Sequence, residues 1–340
     1  MKKHRVLLIW TGAVLGVVAL GFGGYGWLGQ KQDTPRDKIT IAIPGEPLNA
    51  LLIIAKELDL FSREGIDLIV KDEYSTGTGA RALEGMLAGR VDVATSVAET
   101  ALVFKSFQRQ DFSVIASNGS SDNDAKIVAR KDRGLTKLSD LRGKRIGTPK
   151  GTSMDFFLHV LLVKNGISQK DVAIRYGKLE ELPVALAKGE IDALSVREPY
   201  VSEAMKLSEG NAFVLAEPGL YVKTLNVVAL NSFIREKPDT VKKFLRALIR
   251  AEEFAKKEPD QAMKIVSNRL KLGQSEMIAL WPNLDLRISL DQRLLLSLED
   301  EARWAITNKL TEATQVPNYL NFVYPDGLAA VRPEGVTIIH

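Results

Sequence analysis

The sequence predicts an α/β protein of two lobes, each built on a mainly parallel sheet flanked by helices. Three observations carry that expectation. The chain has 340 residues, more than one compact core usually holds. One phrase is written twice, as "LAGRVDVATSVAET" at residues 87–100 and "AKGEIDALSVREPY" at 187–200. Each reads Gly, a charged residue, a β-branched aliphatic, Asp, then small and apolar residues running to a Ser. Around each phrase the same order of strands and helices recurs, over roughly 80 residues in each half.

The N-terminus comes first. "MKKHR" precedes a run from Val6 to Gln30 without a charged residue. Basic residues ahead of an apolar run hold that end in the cytoplasm. About 20 apolar residues span a bilayer, and this run is long enough. Residues 1–30 are therefore expected to be a signal peptide or an uncleaved membrane anchor, with Ala19-Leu20-Gly21 as a possible cleavage site and 31–37 as a polar tether. The rest of the chain would then lie outside the cytoplasmic membrane. Lys2, Lys3 and Arg5 supply most of the formal charge of +4, so the body is nearly neutral. A nucleic-acid partner needs a concentrated basic face, and none is expected. With no cysteine, the chain can form no disulfide, thiolate metal site or thiol nucleophile.

The body opens with "KITIAI", an alternating strand. "PLNALLIIAKELDLF" follows at helical spacing, with Pro47 suited to a first turn. "REGIDLIV" enters a second strand. "STGTGARALEGMLAGR" is a Gly-rich turn and a helix, "VDVATS" a strand, "VAETALVFKSF" a helix and "DFSVIAS" a strand, closed by the polar run "NGSSDND". From residue 138 the order restarts: strand, Gly-Thr-Ser turn, helix to Gly166, strand, helix, the second copy of the phrase, helix, and "FVLAE". In each copy the Gly stops a helix and the aliphatic residue enters a sheet, with the Asp placed to bond turn amides. After 223 come one more strand, "VKTLNVVAL", and a series of amphipathic helices that need a surface, expected to be the first lobe. Lobe one is thus expected to be 38–124 plus 223–340, and lobe two 125–222. The two crossings would form a hinge, with a ligand cleft between the lobes.

Recognisable catalytic motifs are missing. His4, His159 and His340 are the only histidines, and His159 lies in "FFLHVLLV", where a core role is expected. No HExxH, Walker A or GxSxG motif occurs, and "TGTGA" is too short for a dinucleotide fingerprint. No cofactor or metal is expected, and the chain reads as a binder, not an enzyme. Polar turns recur at the C-terminal ends of strands, where open α/β sheets hold ligands. The candidate ligand contacts are Glu46 and Asn49; Thr76, Gly77 and Thr78; Ser96, Val97 and Glu99; Gly151, Thr152 and Ser153; and Arg197, Glu198 and Tyr200. Helix starts there favour anionic or strongly polar groups. Ser96 with Glu99 also fits a capping box, and Thr152 with Asp155 resembles one, so these residues serve as caps, as contacts or as both. Lys150 and Arg197 would favour an anion, whereas Glu46, Glu99 and Glu198 would suit a hydrogen-bond donor. Together they suggest a solute with an acidic end and a donor end.

Four phrases carry a resemblance to a known family: "LLIIAKELDLFSREGIDL", "ALEGMLAGRVDVATS", "LSDLRGKRIGTPKGTSMDFFL" and "LAKGEIDALSVREPYVSEA". Over residues 38–260 the chain resembles the solute-binding proteins of bacterial ABC importers in the nitrate, sulfonate, taurine and thiamine-precursor group. That resemblance implies the type II periplasmic-binding-protein fold and a monomer that holds a small solute between its lobes. The implied partners are permease subunits with a cytoplasmic ATPase. Many members carry an aromatic residue just before the Glu-Pro-Tyr, where Arg197 stands here, so no particular solute carries over. The thiamine-precursor synthases of this fold carry a Cys-rich motif that this chain lacks. The alternative from another class is a membrane-anchored ligand-sensing receptor that signals to a membrane partner.

Overall fold

The computed structural model describes residues 36–75, 78–109, 111–215 and 217–339. The expected signal or anchor, and the tether as far as residue 35, lie outside these residues. Among the described residues no helix is long and apolar enough to cross a membrane.

Ten strands among the described residues form two five-stranded sheets. They are β1 (Asp37–Ala42), β2 (Ile66–Val70), β3 (Val93–Ala98), β4 (Phe112–Ser121), β5 (Lys126–Arg130), β6 (Arg145–Thr148), β7 (Ala173–Tyr176), β8 (Ala193–Val196), β9 (Ala212–Leu215) and β10 (Lys223–Leu230). The orders are β2-β1-β3-β10-β4 and β7-β6-β8-β5-β9. In the first sheet β1 pairs in parallel with β2 and β3, while β10 is antiparallel to both of its neighbours. The second sheet repeats this with β6 between β7 and β8, and β5 as the reversed strand. The chain passes from one sheet to the other between Ser121 and Lys126, and back between Leu215 and Lys223.

The helices that flank these sheets and position the strand ends include α1 (Ala50–Glu57), α2 (Gly79–Leu87), α3 (Glu99–Ser106), α4 (Ser153–Lys164), α5 (Leu182–Ala187), α6 (Tyr200–Leu207), α7 (Pro238–Lys257), α8 (Pro259–Leu270) and α9 (Gln292–Thr307). The helix α1 is buried along Ala50–Ala55 because it is enclosed by β4 on one side and by α7 and α8 on the other. The last of the set, α9, lies against α3. The C-terminal helices therefore find their surface on the elements of the first sheet.

The repeated phrase performs the same task in both sheets. The helices α2 and α5 end at Gly89 (φ 69°) and Gly189 (φ 72°), left-handed positions that glycine adopts without strain. Arg90 N donates to Gly85 O at 2.8 Å and Gly89 N to Met86 O at 2.9 Å; Glu190 N donates to Ala185 O at 3.0 Å and Gly189 N to Leu186 O at 2.9 Å. Both ends are Schellman caps. The Asp does not bond turn amides, as its position suggested; it pins the incoming strand, which is the central one of its sheet, to its parallel neighbour, β1 or β6. Asp92 Oδ2 accepts from Thr40 N and Thr40 Oγ1, each at 2.7 Å. Asp192 Oδ2 accepts from Arg145 N at 2.9 Å, and its Oδ1 accepts from Arg145 Nη2 at 2.6 Å.

Two segments differ from their sequence-based reading. The polar run after "DFSVIAS" does not close the strand. β4 continues to Ser121 because β10 pairs along its length and Ser120 bridges to Asp285. "KIVAR" is a strand, β5, that was not anticipated; five residues are too few for alternation to stand out.

Because the two Asp anchors are equivalent, Asp92→Ala and Asp192→Ala are each expected to cost about 1–3 kcal/mol, with the larger loss at Asp192, where a guanidinium also loses its partner. Denaturant titration of the full-length variants checks this. A loss at one position only would show that the repeat is not mechanically equivalent.

Candidate functional site

The C-terminal ends of β1, β3, β6 and β8 face an open cavity between the sheets, of about 860 Å³ including the space at its mouth. Elements of the first sheet supply Glu46, Thr78, Ser96, Thr100 and Lys223 to its polar lining, with the ion pair of Glu84 and Lys105 at 3.5 Å; the second supplies Gly151, Thr152, Ser153 and Arg197. Leu83, Phe104, Met154 and Leu179 form an apolar wall. A cavity of this size with few convergent polar groups suits a small organic molecule.

The floor is a buried charge network. Lys223 Nζ lies 3.0 Å from Glu46 Oε2 and 3.0 Å from Asp124 Oδ2, and Arg197 Nη1 lies 3.6 Å from Glu46 Oε2. Glu46, Arg197 and Lys223 are all less than one-tenth exposed. Burial opposes the charge on Asp124, but Lys223 and Arg197 outweigh it and hold the carboxyl below its ordinary range. Two cations and two carboxylates thus balance one another. Arg197 is not the unpaired anion receptor that its place at the cleft lip suggested, because Glu46 reaches it from the opposite sheet.

Three helices, α2, α3 and α4, begin at the cavity. Their N-cap residues are Thr78, Ala98 and Thr152, and in none does the cap side chain bond a helix amide. First-turn N–H groups are left for solvent or a solute. The expected capping box of Ser96 and Glu99 does not form. β3 runs on to Ala98, Ser96 itself adopts φ 58°, and its hydroxyl donates to Pro44 O at 3.4 Å. Thr152 donates instead to Pro149 O at 2.8 Å, and Asp155 accepts from Gly151 N at 2.9 Å. Burial pushes the Asp155 carboxyl up to about 6. The first residue of α2 must be glycine, since a Cβ at Gly79 would stand 1.7 Å from Ser96 O.

Of the sequence candidates, Glu46, Thr78, Ser96, Gly151, Thr152, Ser153 and Arg197 come together at the cavity. Thr76 and Gly77 lie outside the described residues. The others do not line it. Asn49 is buried among backbone and side-chain partners, donating to Pro44 O at 3.1 Å and accepting from Asn118 Nδ2 at 3.0 Å. Val97 is wholly buried in the sheet. Glu99 turns away from the cleft to accept from Thr224 N at 2.8 Å. Glu198 accepts from Ser202 N at 3.1 Å in the first turn of α6, and Tyr200 donates to Glu180 Oε1 at 3.2 Å. Lys150 stands 5.6 Å from the Tyr176 ring centre at the outer mouth. Half-buried His159 faces Trp304, with ring centres 6.3 Å apart, and is not part of the lining. Sequence reasoning missed Lys223 and the apolar wall. The available signal was a lysine at the start of a strand whose second half, Val227–Leu230, is wholly apolar.

The family model described as "NMT1/THI5 like" matches residues 47–262, well over half of the chain. The chain belongs to the NMT1/THI5-like family. A putative aliphatic sulfonates-binding protein of Bacillus subtilis is 29% identical to this NMT1/THI5-like chain over 278 residues, which cover 79% of the chain and 78% of that protein. A putative binding protein of Brucella abortus is 26% identical over 231 residues, covering 67% and 70%. Among solved structures, the alkanesulfonate-binding protein SsuA from Xanthomonas axonopodis pv. citri, bound to MOPS, matches with a TM-score of 0.71 at 18% identity, covering 86% of this chain and 99% of that one. That likeness shows the fold: a two-sheet α/β periplasmic-binding-protein architecture.

Lys223→Ala is expected to destabilise the protein by about 3–5 kcal/mol, because it strands Glu46 and Asp124 in a buried site. Gly79→Ala is expected to cost about 2–3 kcal/mol through overpacking against the Ser96 carbonyl. Thermal melts of the full-length variants measure both. A loss under about 1 kcal/mol for Lys223→Ala would show that the network is not what holds the floor together.

Proposed function

We propose that this chain is the extracytoplasmic solute-binding component of an ABC importer, and that its solute is a small organic molecule with an acidic end and a donor end. The observation that carries this reading is the composition of the cavity. Three helix N-termini open onto it, so an anionic group gains from their amides and dipoles. Glu46 offers an acceptor for an amine or hydroxyl, and the Leu83–Phe104–Met154–Leu179 wall suits a short apolar body. An amino-sulfonate or a substituted carboxylate fits this description better than a bare inorganic anion, since Arg197 and Lys223 are already compensated. The Bacillus subtilis relative, named for aliphatic sulfonates, supports the same class.

In this reading, residues 38–124 with 223–340 move as one lobe against 125–222, and the closed form docks on the permease. The N-terminal segment exports the body and tethers it to the membrane. The absence of cysteine, and the place of His159 outside the cavity, favour capture over catalysis.

Calorimetry of the full-length protein against linear alkanesulfonates, amino-sulfonates and substituted carboxylates tests the proposal. Arg197→Ala is expected to weaken the best solute at least about tenfold, or 1.4 kcal/mol. Arg235→Ala, exposed on the helix Asn231–Glu236, is expected to leave it unchanged. Failure of the wild-type protein to bind any of these sulfonates or carboxylates would remove the anionic class, and turnover of a bound solute would replace a receptor with an enzyme.

A further inference from the structure

Behind the cleft wall, three elements converge on two carboxyl groups that the cavity does not use. Glu99 opens α3 and Glu301 lies on α9, and both are fully buried. Each has one satisfied oxygen. Glu99 Oε1 accepts from Thr224 N at 2.8 Å, and Glu301 Oε1 accepts from Tyr221 Oη at 3.0 Å. Glu99 Oε2, Glu301 Oε2 and the Thr100 hydroxyl are buried without a hydrogen bond. A buried carboxylate with an unsatisfied oxygen is costly, whereas a carboxylic acid can place its proton there.

We propose that Glu99 and Glu301 form a proton-holding pair that couples the protonation of the protein to the fit of its cleft wall. The placement supports this directly. The helix that Glu99 begins carries Thr100, Ala101, Phe104 and Lys105 of the cavity lining. Thr224 follows Lys223 of the charged floor. Tyr221 belongs to the return crossing and packs edge-on against Phe156 of the other sheet's α4, with ring centres 5.3 Å apart. Charging both carboxyls would push α3 from α9 and pull on Lys223, which already serves Glu46 and Asp124.

The groups facing the pair do not neutralise it, although the Thr100 hydroxyl stands close enough to Glu301 to ease its charge. Lys223 acts on Glu99 from β10. Asp300, on α9 itself, adds negative charge, and Asp124 stands beyond Tyr221. Tyr319 donates to or accepts from Ser106 at 3.1 Å and feels the Glu301 charge. From α4, His159 faces Trp304, and burial lowers its basicity. Burial pushes the Glu99 carboxyl up to about 7. Burial, together with the charge of Glu99, pushes Glu301 well above the carboxylate range. A carboxyl raised on folding gives stability that is fully present below its unfolded value, about 4.5, and is lost as pH rises through its folded value. For Glu99 that loss is complete above about pH 7, and for Glu301 it continues higher.

The pair titrates whatever the solute is, and the test needs none. Infrared spectra of the full-length protein at about pH 6 should show the carbonyl stretch of buried protonated carboxyls, with one component fading through about pH 7 and missing from Glu99→Gln. Amide exchange of the 98–107 segment, corrected for its intrinsic pH dependence, should lose about tenfold in protection between about pH 6 and pH 8.5. In Glu99→Gln, where Glu301 alone of the pair still titrates, the loss of protection should be clearly smaller than in wild type. Glu301→Gln provides the same comparison if Glu99→Gln fails to fold. Absence of the protonated band from wild type, or equal loss of protection in wild type and the Gln variant, would overturn the proposal.

Discussion

The structure depends on one lysine. Lys223 begins the strand by which the chain returns to its first sheet, and its ammonium is held between Glu46, from the loop after β1, and Asp124, from the outward crossing. Arg197, from the second sheet, reaches the same Glu46. Four charges from the two sheets and both connections therefore meet in one buried cluster. The desolvation of these charges is tolerable only while all of them are present and aligned. The cluster thus specifies where the crossings lie relative to the strand ends, and the cavity inherits its floor from that alignment.

The cavity combines two kinds of polarity. Its floor is electrically balanced, whereas its rim is made of helix starts whose amides present partial positive charge, offset in part by Glu99 and Asp155 in the first turns of α3 and α4. Selectivity for charge therefore rests more on backbone than on side chains. Ser96 illustrates this: its left-handed backbone at the end of β3 lets α2 approach so closely that only glycine fits at position 79. Strain of this kind is local, and it is sustained by the ladder bonds of β3 to β1 and β10.

Much of this architecture was legible in the sequence because parallel β-α units announce themselves locally. The Gly-x-aliphatic-Asp phrase marks a helix end and a strand start within five residues, and both copies behave alike. Less legible were features decided across long sequence distances. The partner of Arg197 lies about 150 residues earlier, so its charge read as available when it is spoken for. Tyr200 and Glu198 sit in the expected turn, but the direction of their side chains follows from α6, which points them at Glu180 and Ser202. Glu99 fitted a cap pattern, yet β3 runs two residues further than its apolar spacing indicated and carries that carboxyl behind the wall. The strand β5 was missed because its pairing partners, β8 and β9, supply the order that its five residues do not.

The reversed strands have a consequence for biosynthesis. In its sheet β4 hydrogen-bonds only to β10, which separates it from β3. Until residue 230 has emerged, β4 has no neighbour in its sheet, and the aliphatic face it shares with α1 stays incomplete. The second sheet needs only residues 126–215, a continuous stretch. Maturation is therefore expected to run from the inside outward: the inserted half consolidates first, and the half that begins and ends the chain closes around it afterwards. Until residue 230 is made, the nascent chain carries an unpaired strand, which is a template for association with other chains.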